Sequence, residues 1–215
     1  MAKNAGNGSK IYSKKVLSVY DLFVLGFSNR WAWRCPTSAI LEHYDRHISG
    51  NHLDVGVGTG YFLDHCEFPT DSPRIVLVDL NRNSLEVAAA RLARYRPVTH
   101  VGDVFEPLRL DAGFDSIGLN YVLHCLPGQM AGKGTVFGHL KSVLNENGVI
   151  FGTTLLGEGV PRNFLAETLT RIYNSKGIFG NAHDTMADLE RSLAVHFSDF
   201  DLWGIGCAAF FVGRK

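Results

Sequence analysis

The chain has 215 residues, 46% of them hydrophobic, which suffices for one domain with a substantial core. Its 21 basic and 21 acidic residues cancel, so no overall field gathers phosphate backbones or anionic lipid, and nucleic acid is not the expected partner. Cys35, Cys66, Cys125 and Cys207 lie far apart without a C-x-x-C pair. That argues against a metal site or disulfide framework and for a reducing, cytoplasmic setting.

Residues 1–10 are rich in Gly, Asn and Lys and lack the apolar core of a secretory signal, so they are expected to form a disordered lead-in. Residues 16–33 follow a helical pattern, with Val16, Tyr20, Phe23, Phe27 and Trp31 on one face. Ser18, Asp21, Asn29 and Arg30 interrupt it, and no stretch of the chain reaches the ~18 apolar residues of a spanning helix. So apolar a helix must be covered. It packs on the core, lids a pocket, joins a homodimer or rests on a membrane surface. A second helical pattern covers residues 37–48, with Ile40, Leu41 and Tyr44 apolar, and the two form an expected helical lid over 11–48.

Next comes Leu53-Asp54-Val55-Gly56-Val57-Gly58-Thr59-Gly60, a buried strand running into three glycines at every second position. Such a turn uses backbone conformations closed to other residues and removes the Cβ atoms that keep a ligand off the main chain. The helix expected after it presents unpaired N–H groups. The dinucleotide fingerprint G-x-G-x-x-G places its third glycine five residues after the first. Here Gly60 follows Gly56 by four, which disfavours NAD.

From there strands predicted at 52–57, 74–79, 98–101, 114–120 and 148–155 alternate with helices at 60–66, 83–95, 130–137 and 136–144. The alternation implies right-handed crossovers and a doubly wound, mostly parallel α/β sheet with helices on both faces. Ligands of such sheets bind beyond the carboxyl ends of the strands. Asp79, Asp103 and Asn120 all fall at those ends. A carboxylate at Asp79 can accept hydrogen bonds from a vicinal diol. Asp103 can accept from an exocyclic amine with the Val104 amide beside it, and Asp54 can anchor the glycine turn or receive an ammonium. For each acid the alternative is a helix cap or a solvated turn.

In this order the motifs resemble the class I S-adenosylmethionine-dependent methyltransferases over residues 40–155. The glycine segment with Asp54, Gly56, Gly58 and Gly60 is similar to the family's cofactor loop. Val78-Asp79-Leu80-Asn81 is similar to its ribose-binding strand end, and Gly102-Asp103-Val104 to its acidic turn beside adenine. Residues 114–127, through Asn120 and His124, resemble the strand and turn that floor the active site in small-molecule methyltransferases. The resemblance implies a Rossmann-like methyltransferase fold of seven strands with an antiparallel C-terminal edge. It further implies S-adenosyl-L-methionine as cofactor, S-adenosyl-L-homocysteine as product, and a Tyr20-Asp21 pair whose tyrosine closes over the methionine end. His124 is either a general base near working pH or a structural histidine. Cys125 reads as a packing residue.

Beyond the fifth strand, residues 157–185 form an expected substrate-side insertion with a helix at 164–173, followed by a helix at 186–195 and a strand pair at 197–202 and 206–213. Phe23, Phe27, Trp31, Phe164, Tyr173 and Phe179 are the expected pocket walls, an aromatic lining suited to a small apolar acceptor. Arg162, Lys176 and His183 are possible contacts for an anionic group, or simply solvated. The expected activity is methyl transfer to an O, N or C atom of a small, apolar or aromatic metabolite by a single domain spanning 1–215. The alternatives are a nicotinamide-dependent oxidoreductase and a methyltransferase-like module that binds without turnover.

Overall fold

The computed structural model describes residues 21–110 and 113–215, with side chains from residue 26 onward. Tyr20, Val16 and the 1–10 lead-in lie outside the described residues, as does the side chain of Phe23. The seven strands are β1 (Asn51–Val55), β2 (Arg74–Asp79), β3 (Val98–Val101), β4 (Phe114–Asn120), β5 (Leu144–Leu155), β6 (Asp199–Ile205) and β7 (Ala208–Arg214). They form one sheet in the order β3-β2-β1-β4-β5-β7-β6. The first five run parallel, and β7 is antiparallel to β5 and β6. The order reverses between β1 and β4, and the cleft beyond their carboxyl ends is where such sheets bind ligands. This is the expected doubly wound fold with its antiparallel edge.

Strand alternation divides the core. On β2, Val76 and Val78 enter one buried cluster, with Leu53 and Val55 of β1 and Ile117 and Leu119 of β4. Ile75 and Leu77 enter the other, on the opposite face, with Ile40, Tyr44 and Phe151. Helices α1 (Thr37–His47), α2 (Tyr61–His65), α3 (Arg82–Arg91), α4 (Met130–Lys133), α5 (Thr135–Ser142), α6 (Phe164–Ser175) and α7 (Met186–His196) flank the sheet. Asn81, Asn163 and Thr185 cap α3, α6 and α7 by accepting backbone N–H groups with their side-chain oxygens. Among the described residues, no helix is long and apolar enough to cross a membrane.

Two boundaries depart from the sequence pattern. Strand β5 starts at Leu144 rather than 148 because α5 stops at Ser142, and the intervening chain joins the sheet with an irregular register opposite Phe114 and Ser116 and a left-handed Asn147 at φ 63°. The larger departure is at the N-terminal helix. Asp21–Ala32 is a π-helix, followed by Trp33 N–H donating to Ser28 O and Cys35 N–H to Asn29 O, both at 2.9 Å. A π-helix bonds five residues back, not four, so its wider turn puts different residues on the buried face from those an α-helical count selects. Ser28 and Asn29 are buried, whereas Phe27 and Trp31 are 47% and 58% exposed. The expected apolar stripe is therefore turned outward at both.

Candidate active site

The glycine loop adopts the backbone that its spacing anticipates. Gly56, Gly58 and Gly60 all have left-handed φ, at 69°, 56° and 74°. A Cβ at Gly56 would stand 2.3 Å from Val122 Cγ2, and one at Gly60 would crowd Ala88 of α3 at 3.1 Å. At Gly58 a Cβ would meet nothing within 4 Å. The outer glycines thus serve packing, and the middle one faces the cavity's open space.

That cavity lies at the β1–β4 switch point. Asp54, Gly56, Gly58, Asp79, Leu80, Asp103, Val104 and Asn120 all line it, so the sequence candidates converge on one pocket. Gly60 is set back as the residue before α2. Asp79 Oδ1 accepts the Asn81 N–H at 2.8 Å. Burial pushes the Asp79 carboxyl up to about 6, against the pull of the Asn81 and Gly58 N–H groups and with a further push from the Asp54 charge. Asp103 Oδ1 accepts the Phe105 N–H at 3.0 Å. Asn120 Oδ1 accepts the Thr153 hydroxyl at 2.9 Å. Its buried Nδ2 lies close enough to Tyr44 to favour the phenolate, yet has no hydrogen bond of good geometry. An orphaned buried donor beside three carboxylates suits a ligand that brings both donors and acceptors.

Of the two readings of His124, the geometry fits the structural one. The residue is buried behind the pocket wall and does not line the cavity. Its Nδ1 accepts the Leu155 N–H at 3.3 Å, and its ring meets Tyr121 and Phe179 edge-on. Burial lowers its pKa to about 3, with the Lys133 charge adding to the effect. A ring kept neutral, out of the cavity and occupied by a backbone donor is poorly placed to take a substrate proton.

The expected aromatic walls are also corrected. Phe27, Trp31 and Phe164 are exposed, Phe164 at 82%, and none of them lines the pocket. Tyr173 and Phe179 stack edge-on behind it. Of the insertion, Ile178 reaches the cavity, where it joins Tyr61, Phe62, Tyr121, Val122, Cys125 and Leu126 as the apolar lining. Arg162, Lys176 and His183 do not line it, and His183 pairs with Glu158 at 2.7 Å instead. Tyr121, also on the wall, has a left-handed φ of 54° and donates its hydroxyl to Asn29 Oδ1 at 3.0 Å. The insertion is anchored by the buried Lys133, whose Nζ bonds Asp184 Oδ2 at 2.5 Å and Gly180 O at 2.8 Å.

The fold and pocket together define a doubly wound nucleoside-binding protein: a glycine cradle, then an acid or amide at successive strand ends, then an apolar annex. Residues 53–150 match the family profile described as "Methyltransferase domain". The chain is 41% identical over 202 residues to "Demethylluteothin O-methyltransferase" of Streptomyces thioluteus, covering 94% of this chain and 88% of that protein. It is 39% identical over 211 residues to "Physcion biosynthesis cluster O-methyltransferase" of Aspergillus chevalieri, covering 97% and 95% of the two chains. Among solved structures it resembles the "DhpI-SAH complex structure", with a TM-score of 0.68 at 15% identity over 97% of this chain and 95% of that one. The chain belongs to the class I S-adenosylmethionine-dependent methyltransferases, and it is an enzyme of that family. The nicotinamide and non-catalytic alternatives give way to this membership.

Proposed function

We propose that this enzyme methylates a hydroxyl oxygen of a small, apolar, aromatic or enolic metabolite in a pathway of secondary metabolism. The observation that carries the choice of oxygen is the pair of relatives named O-methyltransferases at about two-fifths identity over nearly the whole chain. A cytoplasmic setting fits four free cysteines.

The residues present suit the cofactor. Asp79 would accept the two ribose hydroxyls, Asp103 and the Val104 N–H would take the adenine edge, and Asp54 with Asn120 would meet the amino-acid end. Gly58 leaves the backbone bare beside them. S-adenosyl-L-methionine supplies, when bound, a methyl group on a sulfonium that a nucleophile can displace in line.

The acceptor is left to the apolar annex of Tyr61, Phe62, Tyr121, Val122, Leu126 and Ile178. These side chains hold a flat ring and exclude water, which orients the reacting atoms. No histidine or lysine lines the cavity among the described residues. Burial also pushes the Cys125 thiol up to about 12, so it stays protonated. We infer that the acceptor hydroxyl is acidic enough to ionise without a protein base, as in a phenol or enol conjugated to a carbonyl.

The test is a series of phenols and enols of graded acidity assayed for methyl ethers by mass spectrometry. The expected pH dependence of kcat/KM has its inflection at each acceptor's own pKa. An inflection fixed across the series would mean that the protein supplies the base. Methylation confined to amines or carbon would overturn the oxygen assignment.

A further inference from the structure

One face of the sheet carries polar side chains where its neighbours are apolar. His52 and Asp54 on β1 lie in register with Ile75 and Leu77 of β2 on one side and with Ser116 and Gly118 of β4 on the other. Helix α1 covers them with Tyr44. His52 and Ser116 are 0% exposed, Tyr44 2% and Asp54 3%. Buried polar groups are costly unless paired, and these pair with one another. Ser116 Oγ lies 2.8 Å from His52 Nδ1, and His52 Nε2 lies 3.4 Å from Asp54 Oδ2. The Tyr44 hydroxyl donates to the same Oδ2 at 2.8 Å.

The proton inventory orients this chain. Ser49 spends its N–H on Ser116 Oγ and its hydroxyl hydrogen on Asn51 O. Ser116 Oγ thus receives a donor, and its own hydrogen has two acceptors in reach, His52 Nδ1 at 2.8 Å and Ser49 Oγ at 2.9 Å; given to His52, it satisfies a buried ring nitrogen that has no other donor beside it among the described residues. Burial first, and then the Asp54 charge, holds the Tyr44 phenol protonated, so Tyr44 donates. A carboxylate can only accept, so His52 Nε2 carries the hydrogen and Nδ1 takes the one from Ser116. Every hydrogen then points toward Asp54: from Ser116 to His52, from His52 to Oδ2, and from Tyr44 to Oδ2. Two donors on one oxygen leave Oδ1 for the cavity that Asp54 and Tyr44 both line. Room for the arrangement comes from β4, because a Cβ at Gly118 would stand 2.8 Å from Asp54 Oδ2 and 3.2 Å from the His52 ring.

We propose that Ser116, His52 and Tyr44 are positioning residues that lock the Asp54 carboxylate in one orientation to receive the ammonium of the cofactor's amino-acid end. The proposal rests on the cofactor reading above. It differs from a merely structural network in one respect: the effect is confined to ligands that carry the amino acid.

The experiment is calorimetry on the full chain with two commercial ligands. S-adenosylhomocysteine has the amino-acid end, whereas 5′-methylthioadenosine shares its adenosine and thioether but lacks that end. For Tyr44→Phe, which removes one oxygen and keeps the ring, the Kd for S-adenosylhomocysteine should rise about tenfold, as expected for losing a hydrogen bond to a charged group. The Kd for methylthioadenosine should stay within about twofold. Ser116→Ala should show the same selectivity at roughly threefold, and it carries the test alone should Tyr44→Phe fail to fold. Unchanged affinity for S-adenosylhomocysteine in both variants, or an equal loss for both ligands, would overturn the relay while leaving the cofactor assignment intact. A wild-type chain that binds neither ligand would overturn the cofactor reading and the relay with it.

Discussion

Asp79 offers the sharpest quantitative check on the cofactor assignment, because its protonation falls inside an accessible pH range. Its carboxyl titrates at about 6 in the free protein, raised by burial. The ionised form accepts the two ribose hydroxyls through both oxygens and with charge assistance, whereas protonation turns one oxygen into a donor and removes the charge. At pH 7 about nine-tenths of the protein carries that form, and at pH 5 about one-tenth does. The Kd for S-adenosylhomocysteine should therefore rise roughly tenfold from pH 7 to pH 5 and be flat above pH 7. Binding near pH 6 should release about half a proton, visible as a dependence of the calorimetric enthalpy on buffer identity. Asp79→Asn keeps the size but leaves one acceptor and no charge. It should weaken binding by about 2 kcal/mol, roughly thirtyfold, and lose the pH dependence. A wild-type affinity constant between pH 5 and pH 7, or an Asn variant that binds as tightly, would refute the assignment of this carboxylate to the diol.

Two further outcomes concern the frame around the pocket. Lys133→Met strands the buried Asp184 without its partner and should cost about 3–5 kcal/mol in urea denaturation, whereas adding Asp184→Leu should recover most of it; a double variant no more stable than the single would deny the pairing its role. His124, at about 3 when folded against an ordinary 6.5, binds fewer protons folded than unfolded. Its contribution is thus full above pH 6.5 and is lost as pH falls toward 3, the loss reaching about 2 kcal/mol by pH 5. Asp79 acts with the opposite sign in part of that window, so the informative quantity is the difference in slope between wild type and His124→Gln. Equal slopes would refute the buried neutral ring, and turnover at pH 7 should survive the substitution within a few-fold, since the ring does not line the cavity.

The features legible in the sequence are those written locally. An apolar run ending in an acid, as in Ile75-Val76-Leu77-Val78-Asp79, states both a buried strand and the chemistry at its end, and the topology then carries every such end to one rim. That is why Asp54, Asp79, Asp103 and Asn120 converge although a span of 66 residues separates the first from the last. Features that depend on rotation about an axis were not legible. An α-helical count puts Phe27 and Trp31 inward, but the π-helix reverses this and buries Asn29, which holds Tyr121. His124 follows the strand end by four residues, yet a 3₁₀ turn at Leu123–Cys125 carries its ring behind the wall and leaves Cys125 on it. The Tyr44–Asp54 bond lies between these cases. Ten residues and a change from helix to strand separate the partners, so no periodicity links them. The one sequence sign of their pairing is the alternation of the polar His52 and Asp54 with the apolar Leu53 and Val55. In a strand buried on both faces, such alternation cannot mark a solvated side. It marks a polar seam that some other element must satisfy, and here α1 does so on the side of the sheet that leads into the cofactor pocket.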